Sequence, residues 1–160
     1  MGISVLIKMN VGMFYLAMIM SGMMTSPDQL PGKVNKTDLQ YLSGAIQIEN
    51  GDCDKIMCPF LTGVVIMNRL SSTKWNGNTI EEVILAKDGG GIQYATVTRN
   101  NFKTKKATDR TKLIAKFLLL YYEPGLFAPT NVVFQGRNKR AGKDVYWTDG
   151  HGEYFCYGSY

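Results

Sequence analysis

The stretch from Pro59 to Leu70 constrains the fold more than any other part of the chain. After the proline it reads Phe-Leu-Thr-Gly-Val-Val-Ile-Met-Asn-Arg-Leu, apolar on most sides. A helix without a polar face has to be enclosed by other elements. Val64, Val65 and Ile66 would also suit a strand, but the length of the run and its leading proline favour a buried helix over 59–70. The rest of the chain must therefore supply a shell. With 160 residues and 45% apolar composition there is enough chain for one domain with a real core.

The shell can be read in order. Thr37-Asp-Leu-Gln40 matches a capping box, so a first body helix is expected to start at Thr37. Leu39, Leu42, Ile46 and Glu49 follow at helical spacing, and Asn50-Gly51 supplies the stop. Thr79-Ile-Glu-Glu82 is a second capping box, opening a short helix to about Ala86. Ile92 to Thr98 alternates loosely and suits an extended segment. A longer helix begins at Asp109 and stops at Pro124-Gly125. The last third changes character. Asn131 to Gln135, Asp144 to Trp147 and Glu153 to Tyr157 are short, β-branched or aromatic, and separated by Gly-rich turns. Helices first and strands later make this an α+β fold, a helix-rich body with a small antiparallel sheet in the C-terminal third.

Residues 1–26 stand apart, with Lys8 as their one charge. Val11 to Met24 is almost entirely apolar or small, which reads as the hydrophobic part of a signal peptide or as a signal-anchor. It is short for a membrane span of about 20 apolar residues. A buried N-terminal helix is the other reading, weakened by Gly2, Gly12 and Gly22. Residues 27–36 contain two prolines and a Pro-Gly pair and read as a linker. The body is then 37–160.

The net charge of +5, from 18 basic and 13 acidic residues, is a mild excess. It suits any polyanion, including an acidic cell wall. Basic residues gather at Lys103, Lys105, Lys106 and Arg110, and again at Arg137, Lys139, Arg140 and Lys143. Neither run has the aromatic interleaving of a nucleic-acid platform, so no nucleic-acid partner is expected. There are three cysteines and one histidine. The odd count means that one cysteine stays free or pairs outside the chain, and Cys53 and Cys58 lie close enough in a loop to pair after export. A zinc site would need more ligands than His151 can supply, and neither a metal nor another cofactor is expected.

Glu49 is the residue most at odds with its place. It falls on the apolar stripe of its helix and in the last turn, where the helix dipole opposes a carboxylate. Both effects disfavour ionisation, and such violations of local rules gather at functional sites. A carboxyl held protonated near neutral pH is what glycoside cleavage asks of its acid. On these grounds alone, a Glu surfacing where the stripe meets solvent explains the position at least as well.

An ordered set of motifs then resembles the SleB-type cell-wall hydrolases, the family of the spore-cortex-lytic enzymes. Leu42-Ser-Gly-Ala-Ile-Gln-Ile-Glu49-Asn-Gly-Asp52 is similar to that family's opening motif. Gly63 to Leu70 resembles its buried helix ending in Val-x-x-Asn-Arg-Val, and Trp75-Asn-Gly-Asn78-Thr-Ile-Glu-Glu-Val-Ile84 resembles its Phe-Pro-Asn-Thr-Ile-x-x-Val-Ile segment. Ile92-Gln-Tyr-Ala95, Val132-Val-Phe134 and Gly152-Glu-Tyr-Phe155 follow in the family's order, over a span from about residue 38 to the C-terminus. The chain departs from the pattern at Asp52, at the Cys53-to-Cys58 insert, at Gly89-Gly90-Gly91, and at Glu153, where a His is common.

The resemblance implies a lysozyme-like α+β domain, acting as a monomer on peptidoglycan at the bond between N-acetylmuramic acid and N-acetylglucosamine. It implies Glu49 as acid and then base, in a lytic transglycosylase or muramidase-like reaction that does not require a second carboxylate. Asn68, Gln93, Tyr94 and Glu153 would contact substrate or position the groups that do. Asn68 serves equally as a helix cap, and Gln93 and Tyr94 nearly as well as a strand residue and a core aromatic. The expected setting is secreted, periplasmic or wall-associated, from a bacterium or a phage, with membrane anchoring through residues 1–26 as one form. A non-catalytic wall-binding or structural module on the same fold is the alternative.

Overall fold

Every residue from Cys58 to Arg69 is buried. In the computed structural model, which describes residues 3–74, 77–88, 91–92, 94, 106–136 and 144–158, this stretch is the axis of the molecule. It forms helix α3, Met57–Leu70. Helices α2 (Lys36–Asn50), α4 (Ile80–Leu85) and α5 (Asp109–Tyr121) pack around it, and strand β3 (Val132–Gly136) covers its remaining side. Gly63 marks the tightest approach. A Cβ there would stand 2.3 Å from Leu118 Cδ1 and 3.0 Å from Ile46 Cδ1, so glycine is what lets α2, α3 and α5 meet. Val64, Val65 and Ile66 are fully buried within the helix, which resolves their strand tendency in favour of packing.

The capping signals are partly as expected. Thr79 caps α4 by accepting from the Glu82 N–H at 3.1 Å, while the Glu82 carboxylate turns back to the N–H of Asn78 rather than of the cap. The start of α2 is a correction. The cap is Asn35, whose Oδ1 accepts from the N–H groups of Thr37 and Asp38 at 2.8 and 3.2 Å, so the helix begins before the expected box at Thr37. Asn at N-cap competes well with Thr, and the residue nearer the preceding turn takes the role. Thr108 caps α5.

The C-terminal strands are close to where the pattern put them. β3, β4 (Val145–Thr148) and β5 (Tyr154–Tyr157) form an antiparallel sheet in the order β3-β5-β4. Phe155 and Cys156 of the central strand are both buried, Phe155 in the main core, and Cys156 is a free thiol. The fold is thus α+β, with the small sheet in the C-terminal part. A two-residue ladder, β1 (Lys87–Asp88) with β2 (Gly91–Ile92), follows α4. The rest of the expected extended segment to Thr98, except Tyr94, lies outside the described residues.

The segment before the body is also placed. Ile3–Met20 forms helix α1, which lies against α5. Ile19 and Met24 are buried, the Tyr15 ring lies 5.6 Å from that of Tyr121, and Lys8 pairs with Glu123 at 2.8 Å. Among the described residues, no helix is long and apolar enough to cross a membrane. Residues 27–36, read as a linker, hold a 3-10 turn at Pro27–Gln29 with its own capping box from Ser26. Leu30 behind it is buried, and Lys116 Nζ donates to the carbonyls of Pro27 and Leu30 at 2.9 and 2.6 Å.

Candidate active site

The C-terminal end of α2 meets the β4–β5 turn across a cleft of about 680 Å3. One wall is the chain from Ile48 to Lys55, which includes Glu49; the other is formed by Asp149, His151, Gly152 and Glu153. The first wall is pinned from behind. Gln47, buried on α2, accepts at Oε1 from the N–H and hydroxyl of Thr108 and from the hydroxyl of Thr111, at 3.0 to 3.1 Å. Its Nε2 donates to Asp52 at 3.3 Å. The Cys53–Cys58 disulfide ties the loop back to the start of α3, and Arg110 donates to the Cys53 carbonyl at 3.0 Å. The expected pairing of Cys53 with Cys58 is therefore the one present.

The second wall is a self-sealed turn. Asp149 Oδ1 accepts from the N–H groups of His151 and Glu153 at 2.7 and 2.9 Å. These bonds, the His151 one foremost, hold the Asp149 carboxyl below its usual range. Gly150 and Gly152 have φ of 80° and 116°, conformations that L side chains resist, so the turn needs glycine at both. Thr148 closes it by donating to the Glu153 carbonyl at 2.7 Å. Lys55 joins the walls by donating to the Asp149 carbonyl.

Glu49 is half-buried on the first wall. Burial pushes its carboxyl above the ordinary 4.5, the charge of Glu153 pushes the same way, and the Arg69 guanidinium partly opposes them. The upward direction expected from the helix position is the one found, although desolvation leads it. Asn50, the next residue, is buried and donates from Nδ2 to Thr62 Oγ1 at 2.8 Å and to Glu153 Oε1 at 3.2 Å. Thr62 in turn donates to the Cys58 carbonyl at 2.9 Å. A relay rooted in α3 thus holds the Glu153 carboxylate against the end of α2, beside Glu49.

The other candidates divide. Tyr94 does not line the cleft. It is 2% exposed, with its ring 4.9 Å from the Arg69 guanidinium carbon, and its hydroxyl finds no hydrogen-bond partner among the described residues. Burial pushes its pKa up to about 12, with Arg69 drawing it down and Glu49 pushing it up. It belongs to the backing of the site, through the charges it shares with Glu49. Asn68 is fully buried and points elsewhere. Its Nδ2 donates to the carbonyls of Pro129 and Val132 at 3.0 and 2.8 Å, and its Oδ1 accepts from Tyr122 at 2.7 Å. It clamps α3 to the chain leading into β3, away from the cleft that holds Glu49, and the C-cap of α3 is Ser71. Gln93 lies outside the described residues, as do both basic runs except Lys106 and Arg110.

Three residues that build the site carried no signal by themselves. Gln47 and Asn50 are polar residues on a helix that otherwise turns its apolar face inward, and an inward polar position near Glu49 was the available hint. Arg69 follows Asn68 at the end of an apolar run; it is 5% exposed and donates from Nε to the Val133 carbonyl at 2.8 Å. A buried guanidinium there implies carboxylates nearby. Among the described residues, Cys53, Cys58 and Asp149 bring possible metal-ligand atoms within 4.8 Å of one another, but the two sulfurs are joined in the disulfide. No family model, curated protein or solved structure matches the chain.

Proposed function

We propose that the protein is a lysozyme-like peptidoglycan glycosidase, exported or delivered by a phage, with Glu49 as its acid. The observation that carries this reading is a half-buried carboxyl with a raised pKa on the wall of an open, polar cleft, facing a second carboxylate. Such a group keeps its proton to higher pH than an ordinary carboxyl and can give it to a glycosidic oxygen as the bond to carbon breaks. Hydroxyl and acetamido groups suit the cleft's carboxylates, amides and Lys55. The ordered resemblance to the SleB-type hydrolases supplies the substrate, the bond between N-acetylmuramic acid and N-acetylglucosamine.

The test is release of soluble muropeptides from purified peptidoglycan by the full chain, read by mass spectrometry. Wild type is expected to release them and Glu49→Gln is not. Equal release by both would remove Glu49 from the chemistry. Binding to peptidoglycan without release by wild type would favour a wall-binding module instead.

A further inference from the structure

Glu49 and Glu153 reach this cleft from opposite walls, alongside Asp52, Asp54 and Asp149, and only one carboxyl is needed to protonate a leaving group. Glu153 is held with unusual care. Its N–H and carbonyl are both bonded within its own turn, to Asp149 and Thr148, and its Oε1 takes a hydrogen bond from buried Asn50. Asn50 is itself fixed by Thr62 on α3. Three elements therefore converge to aim a carboxylate from the β4–β5 turn across the end of α2. A solvated surface Glu has no such support. Glycosidases that use water place an acid and a base on the two sides of the scissile bond.

We propose that Glu153 is the base that activates a water molecule for attack, so that the enzyme hydrolyses the glycan rather than closing an anhydro ring. This rests on the reading of Glu49 as the acid. In the step, the water oxygen bonds to the anomeric carbon as the bond from that carbon to the leaving oxygen breaks. Glu49 gives its proton to the leaving oxygen, and Glu153 takes one proton from the water. Exchange of both groups with solvent restores the starting state. Asn50 is a positioning residue, acting through Glu153.

The experiment digests peptidoglycan sacculi with the full chain and examines the new ends by mass spectrometry. Hydrolysis leaves reducing ends; ring closure leaves anhydro ends lighter by one water. Wild type is expected to give reducing ends. Glu153→Gln should lower their rate of formation by about 10²- to 10⁴-fold, the usual contribution of a general base, with KM little changed. In Glu153→Ala, added azide should restore turnover and appear as a glycosyl azide, a signature that a merely structural residue would not give. Anhydro ends from wild type would overturn this inference while leaving Glu49 as the acid. Reducing ends formed at an undiminished rate by Glu153→Gln would overturn it too. Absence of any new ends from wild type would instead overturn the glycosidase reading on which it stands.

Discussion

Helices α1 and α2 both lie against α5 and are of similar length, 18 and 15 residues, yet they are built on different terms. In α2 each class of residue has a task. Asn35 caps it, Asp38 sits in its first turn, Leu42, Ala45 and Ile46 enter the core, and Gln47 and Asn50 hold the cleft. Helix α1 has no acid in its first turn and no base in its last, and it carries more apolar surface than the fold covers. Leu6, Ile7, Val11, Met13 and Phe14 are all at least 40% exposed. One helix is tightly specified and spends its polar residues on a site. The other is docked by one face and adds nothing to the cleft. The difference teaches that apolar content does not measure how firmly a helix is integrated; satisfied polar groups and close backbone approach do.

The largest effect should come from the end of α2. Glu49→Gln is expected to reduce glycan release by about 10²- to 10⁴-fold, the range for loss of a general acid. Its stability should move the other way. The carboxyl of Glu49 has a folded pKa above its ordinary 4.5. The folded state therefore holds the proton more tightly than the unfolded chain, and stability falls as pH rises through that window. Glu49→Gln has no such proton to lose. Urea titrations should show the variant gaining on wild type from pH 4 to pH 7, whereas a substitution in α1 should leave the pH dependence as it is. A variant that instead loses ground to wild type as pH rises would contradict the raised pKa.

Next is Asn68, where a site residue and a clamp give different results. Asn68→Ala would strip buried partners from Pro129, Val132 and Tyr122. A buried polar group left unsatisfied costs about 1–3 kcal/mol, and a total loss of about 2–4 kcal/mol in denaturant unfolding is expected. KM measured on the folded fraction should not change. A raised KM without loss of stability would return Asn68 to the substrate.

Much of the frame was legible because it follows local rules. The run at Phe60–Leu70 demanded enclosure, and the three aromatic and β-branched segments formed the sheet expected of them. Where two local signals competed, the pattern misled: Thr37-x-x-Gln40 looked like a box, but Asn35 caps the helix two residues earlier through the N–H groups of Thr37 and Asp38. Pro27 and Pro31 suggested a linker, yet a capping box at Ser26 and the buried Leu30 make it part of the packed structure. Glu49 could be singled out because its helix periodicity and its dipole position conflict within one short segment. The second wall could not. Asn50 and Glu153 are 103 residues apart, and no local period joins the end of a helix to a distant hairpin turn. The clamp by Asn68 is hidden for the same reason: its partners lie 54 to 64 residues away.

The same substitution made in different helices measures integration directly. At Gly63, an added methyl would collide with Leu118, which is itself fully buried, so Gly63→Ala should cost about 1–3 kcal/mol from overpacking. At Gly12, the nearest atom to an added Cβ is Tyr121 Cβ at 3.2 Å, close but not prohibitive. Alanine also recovers roughly 0.5–1 kcal/mol of helix propensity over glycine. Gly12→Ala should therefore stay within about 1 kcal/mol of wild type. Comparable losses at the two positions, read as midpoint shifts in urea, would mean that α1 is as closely fitted as α3.

The smallest effect should be at Lys8, the one charge of α1. Its partner Glu123 is 2.8 Å away, but the two side chains are 44% and 36% exposed. Exposed pairs contribute about 0–1 kcal/mol and are screened by salt. If apolar packing holds α1 in place, through Ile19, Met24 and the Tyr15–Tyr121 contact, Lys8→Ala should fray only the first turns. Hydrogen exchange resolves this by position. Amides near the start of Ile3–Met20 should exchange faster in the variant, those near Met20 should not, and those of α2 should be unaffected. Opening of all of α1 would show that a single surface pair anchors the helix. Its apolar surface would then count for less in the docking than the exposed and buried faces suggest.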